Sequence, residues 1–157
     1  MSIFLVGVHN LLRWLILISL LASLYLALTG WLRRKPFSGR TRKTWLFTLI
    51  FAHCTLLLGL FQVLFGRFGI LSSKLPEGIN VMKDRFYRFY WIEHPLSMIL
   101  AIILITLAYR VAKKPIPDEK KFRIAFWYFL IALLVILAAI PWPFREGIGR
   151  PFIPGFS

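Results

Sequence analysis

The chain reads as all-α, an integral membrane four-helix bundle, and three observations predict it. Of its 157 residues, 59% are hydrophobic and 17% aromatic, more apolar surface than a soluble domain of this size can keep from water. Four apolar stretches each meet or approach the roughly 20 residues a helix needs to cross the hydrocarbon. Basic residues gather between those stretches, where they orient a membrane protein and meet anionic lipid headgroups.

The spans are read from about Ile3 to Leu32, Thr44 to Gly66, Arg88 to Val111 and Phe122 to Ile140, all within a single transmembrane domain over residues 1–157. The first has no basic segment before it and is too long for a signal-peptide core, so it is expected to be a span. Trp14, Trp31, Trp45, Trp91, Trp127 and Trp142 mostly sit near span ends, as an interfacial aromatic belt requires. The fourth span stops at Pro141-Trp142-Pro143, where neither proline can continue a helix, and is expected to be scaffold. The longest connection, Arg67 to Tyr87, is expected to fold over one mouth of the bundle, with the Pro- and Gly-rich tail after Pro141 along the same surface.

The net charge of +14 does not point to nucleic acid, because Arg and Lys cluster in the connections between the apolar stretches. The first and third connections hold twelve Arg and Lys between them, against seven in the middle loop and tail. That bias predicts cytoplasmic first and third loops and both termini outside. Cys54 is the only cysteine, so there is no disulfide framework and no thiolate cluster for zinc or iron–sulfur. It is expected to be a small packed residue.

All three histidines, His9, His53 and His94, fall inside spans. An ionisable side chain in hydrocarbon is costly and marks a functional site. Helix-borne imidazoles in a membrane most readily serve as axial ligands of a metal, with haem the first expectation. At 1.5 Å per residue, His9 and His94 each lie about 9 Å below the same end of the bundle, whereas His53 lies about 20 Å down. His9 shares a helix stripe with Arg13, Ile16, Leu20, Ser23 and Ala27; His94 shares one with Tyr87, Tyr90, Met98, Ala101, Ile105 and Ala108. Such small-residue and aromatic faces suit a slot for a flat ring, and they suit plain helix packing too. His9 and His94 are therefore the expected axial pair, with His53 as a substitute ligand or a quinone contact.

Arg13, one turn from His9, and Glu93, next to His94, are expected to face inward and to interact, since either alone in lipid is costly. Beside a porphyrin the arginine would neutralise a propionate and the carboxylate would set an imidazole tautomer; otherwise the two form a buried pair that only sets register. Pro95 removes a helix hydrogen bond and is expected to kink the third helix at His94. Met98 is a further axial candidate, although methionine in an apolar span is mostly filler. Gln62 lies across its helix from His53 and cannot serve the same site.

Several local patterns together carry a resemblance. His9-Asn10-Leu11-Leu12-Arg13-Trp14, His53 with Leu56-Leu57-Leu58-Gly59, Glu93-His94-Pro95-Leu96-Ser97-Met98 and Ile140-Pro141-Trp142-Pro143-Phe144 resemble a family of small bacterial four-span proteins described as membrane cytochrome b. The chain is also broadly similar to the four-helix haem-bearing anchor subunits of respiratory enzymes. The resemblance implies one or more haem b at His9, His53 and His94, and a multi-pass protein of the bacterial inner membrane. It further implies electron transfer beside other membrane subunits of a respiratory or photosynthetic complex. No hydrolytic or nucleotide-binding motif competes with that expectation, and the short chain has neither the inverted repeat nor the acidic relay of a transporter. A second class, a non-redox accessory subunit binding lipid, pigment or quinone, fits the same aromatic richness and basic loops. An optical spectrum separates the two.

Overall fold

The computed structural model describes residues 2–152 and is all-helical. In lipid a spanning backbone must satisfy its own N–H and C=O groups, and four long helices do so here. They are α1 (Ser2–Leu32), α2 (Gly39–Phe65), α3 (Arg85–Val111) and α4 (Asp118–Ala139). All four are long and apolar enough to cross a membrane. Two of them start before the apolar run does. Ser38 caps α2 by accepting from the Thr41 N–H at 3.2 Å, so Arg40, Arg42 and Lys43 lie on its first turn rather than in a loop. Asp118 and Glu119 open α4, where carboxylates complement the positive helix end.

Each helix packs on its sequence neighbours, and α1 closes the ring against α4. That leaves α1 diagonal to α3 across the axis. Ala27, Ala52, Ala101, Ala108, Ala125 and Ala132 are fully buried at the crossings, since small residues let membrane helices approach closely. The stripes expected to face inward do so: Ile16, Leu20 and Ser23 on α1, and Ala101, Ile105 and Ala108 on α3, are buried. Between α1 and α2, Ser23 and Thr48 hydroxyls meet at 2.9 Å, and Thr48 also donates to the Ser19 carbonyl.

The end with the two short basic loops is tightly filled. Phe37, Trp45, Phe122 and Phe129 form an aromatic cluster with ring centroids 5.1 to 6.1 Å apart. The loops are tied by the Phe37 N–H, which donates to Asp118 Oδ2 at 2.9 Å. Gly30 passes so close to Phe122 that a Cβ there would lie 2.5 Å from its ring. Gly30→Val is therefore expected to destabilise the bundle by about 1–3 kcal/mol through overpacking; the thermal midpoint of the purified protein in detergent checks it.

The opposite end is looser. There the long α2–α3 loop and the tail gather, as expected from the sequence. Tyr90 donates its hydroxyl to the Ile148 carbonyl at 2.6 Å, and Trp91 donates Nε1–H to the Phe68 carbonyl at 2.7 Å.

Candidate functional site

Just inside the long-loop end, the diagonal helices leave a cavity of about 510 Å³, within the usual range for a small-molecule or cofactor site. Its wall includes His9, Arg13 and Ile16 from α1, Gly59 and Gln62 from α2, His94 and Met98 from α3, and Ile136 from α4.

His9 and His94 face each other across this space, with ring centroids 6.4 Å apart and planes 69° apart. The matching depth expected from the sequence is met. At that separation His9 and His94 would both be able to hold a metal at the usual imidazole bond length of about 2.0–2.1 Å.

The His94 ring is held by its neighbour α4. Its Nδ1 lies 2.8 Å from the Ala139 carbonyl oxygen; a carbonyl only accepts, so Nδ1 carries the hydrogen and Nε2 keeps the free lone pair. A backbone acceptor on one nitrogen is the usual support of a metal-binding imidazole. The origin of that acceptor lies in the proline pair. Within a helix the Ala139 carbonyl would accept from residue 143 and the Leu137 carbonyl from residue 141, and both are prolines without an N–H. The freed carbonyls are taken by side chains: Ala139 by His94, and Leu137 by Trp142 Nε1–H at 2.8 Å. Arg145 closes the set on the Ala138 and Ile140 carbonyls. The fourth helix is thus more than the scaffold the sequence predicts.

His9 is placed differently. Its Nδ1 is buried and has no hydrogen-bond partner among the described residues, a cost of about 1–3 kcal/mol for a polar atom left unmatched. Gly59 of α2 makes the room it needs: a Cβ there would stand 3.3 Å from His9 Cε1. Gln62 reaches from the same helix to donate to the Leu5 carbonyl at 3.0 Å, steadying α1 one turn before His9. Neither Gly59 nor Gln62 is a site residue by sequence reasoning alone, because both depend on which face of α2 meets α1.

Pro95 does disturb α3, but as a π turn. Over Phe89–Glu93 the helix widens, and His94 N–H donates to the Phe89 carbonyl five residues back. The proline has no N–H for the Trp91 carbonyl, and the ladder slips by one residue just before it.

That slip corrects the expectation for Glu93. Glu93 is exposed and accepts from Arg88 Nε at 2.8 Å, five residues back across the π turn. It neither faces inward nor meets Arg13. Arg13 is buried as expected, but its Nη2 donates to the Phe152 carbonyl of the tail at 2.7 Å, beside the Trp14 indole that donates to the same oxygen. A charge that needs a partner in a dry environment has taken a backbone carbonyl instead of a carboxylate.

His53 is not brought to the cavity. It sits exposed on the outer face of α2, its Nδ1–H donated to the Leu49 carbonyl at 2.9 Å. Cys54 beside it is exposed as well, not packed. Met98 lines the cavity one turn from His94. Among the described residues no three of His, Cys, Asp and Glu come together, and His9 and His94 are the imidazoles that meet in the cavity wall. Were haem the occupant, His9 and His94 would be the residues to hold it, with Arg13 in the same wall. No protein-family model matches this chain, nor does any curated protein or solved structure.

Proposed function

We propose that the chain is a b-type cytochrome subunit of a bacterial inner membrane that carries electrons within a larger respiratory or photosynthetic complex. The observation that supports this most is the pair of imidazoles on diagonal helices, 6.4 Å apart across an interior cavity. Haem b would be held by His9 and His94, and when bound it supplies one-electron chemistry. The Ala139 carbonyl fixes the His94 tautomer and makes Nε2 the more basic nitrogen. Ile16, Met98, Ile102 and Ile136 give the slot an apolar wall.

The basic first and third loops support a cytoplasmic location for that end and both termini outside, with lipid headgroups as neighbours there and other membrane subunits around the bundle. Labelling Ser38→Cys and Ser157→Cys with an impermeant reagent tests the sidedness: only Ser157→Cys reacts from outside, and reaction of Ser38→Cys alone would reverse it. The function itself is tested by an optical redox titration of the purified full chain. We expect a reversible one-electron change in haem bands. A protein with no visible chromophore would return the alternative, an accessory subunit that binds lipid, pigment or quinone.

A further inference from the structure

Three arginines contribute to the cavity wall: Arg13 from α1, Arg67 from just beyond α2 and Arg150 from the tail, and among the described residues no Asp or Glu joins them. Arg13 is the decisive member. It is 8% exposed, its Nη2 is used by the Phe152 carbonyl, and its Nε–H is buried with no partner among the described residues. A buried guanidinium with an unmatched donor and no carboxylate partner is costly, and an anion in the cavity that Arg13 lines would offset its charge. Arg150 stands on the α3 side, donating Nε–H to the Tyr90 hydroxyl at 3.0 Å with its guanidinium 5.2 Å from the Tyr90 ring centroid. Tyr90 passes its own hydrogen to the Ile148 carbonyl. Tyrosine and tail therefore hold Arg150 in place while Arg13 approaches from the diagonal helix.

We propose that these arginines form an anion site: Arg13 and Arg150, supported by Arg67, bind a carboxylate or phosphate carried by whatever amphiphile fills the cavity below. The occupant is then oriented, its anionic end at the long loop and tail and its apolar body between His9, His94, Met98 and Ile102. Two sources share this chemistry, a porphyrin propionate and the headgroup of an anionic lipid. The first rests on the haem reading above; the second does not.

Reconstituting the full chain in detergent with haem b, and separately with its dimethyl ester, tests the site, because the ester keeps the iron and the apolar ring but lacks the charge. The wild-type protein is expected to bind the free acid about tenfold or more tightly than the ester, the scale of a charge-assisted hydrogen bond. Arg13→Gln and Arg150→Gln should each erase most of that preference, and Arg13→Lys should keep part of it. Equal binding of acid and ester by the wild type, both with the same low-spin spectrum, would overturn the anion site and leave the haem reading intact. Should neither form bind, the haem reading fails and the lipid arm decides. Retention of phosphatidylglycerol over phosphatidylcholine, lost in Arg13→Gln and Arg150→Gln, would support the site with lipid as its source; no such selectivity would overturn it. Should Arg13→Gln not fold, Arg150→Gln, in the half-buried tail, carries either arm.

Discussion

His94→Ala is expected to abolish haem binding in the purified protein, and His9→Ala to do the same, while His53→Ala leaves haem content and the low-spin spectrum unchanged. Both rings line the cavity and face each other, whereas His53 points away from it with its Nδ1–H satisfied on its own helix. Loss of one of two axial ligands removes the interaction that holds a dry haem in register. The His94 change also strands the Ala139 carbonyl, which no proline N–H can satisfy. His94→Ala is therefore expected to cost more thermal stability than His53→Ala even without a cofactor. Haem content by pyridine haemochrome, together with the thermal midpoint of each variant, checks both statements. Free imidazole should restore part of the spectrum to His94→Gly if the lost group is a ligand rather than a packing element. An unchanged spectrum in His9→Ala and His94→Ala, with loss in His53→Ala, would move the site to the outer face of α2.

The second large effect is expected at Gly59. A Cβ at that position already presses on His9 at 3.3 Å, and a branched side chain must displace the ring or separate α1 from α2. Gly59→Val is expected to cost about 1–3 kcal/mol of stability through overpacking and to lower haem content far more than Gly39→Val, whose Cβ meets nothing within 4 Å. Haem-to-protein ratios of the two variants, measured at equal purity, provide the comparison. Equal ratios would show that His9 does not depend on the space Gly59 leaves.

Much of this arrangement is legible in the sequence because membrane helices obey few rules. Span length, the basic loops and one helix periodicity place His9 and His94 at one depth and turn both inward, and the buried Ile16, Leu20, Ala101 and Ile105 follow from the same stripes. Glu93 escapes that reasoning because the cost of a charge in lipid turns it inward only if nothing meets it outside, and Arg88, five residues back, meets it at the exposed surface. The start of α2 escapes it for a different reason: Arg40, Arg42 and Lys43 look like loop, but they lie at the start of a helix capped by Ser38. The Arg13 partner lies 139 residues away in the tail, a contact no local pattern encodes. The Ala139 carbonyl, by contrast, carries a readable signal. Pro141 and Pro143 leave the carbonyls four residues before each without a helical donor, and a buried histidine on the neighbouring helix is a natural taker.

One haem is expected to sit between His9 and His94. Its most direct measurement is the haem-to-protein ratio of the purified full-length chain, taken with the axial-ligand signature of the ferric iron by electron paramagnetic resonance. One haem b per chain is expected, six-coordinate and low-spin with two imidazole ligands, lost together in His9→Ala and in His94→Ala. A wild-type protein with no haem, or one whose bis-imidazole signal survives both substitutions, would contradict it.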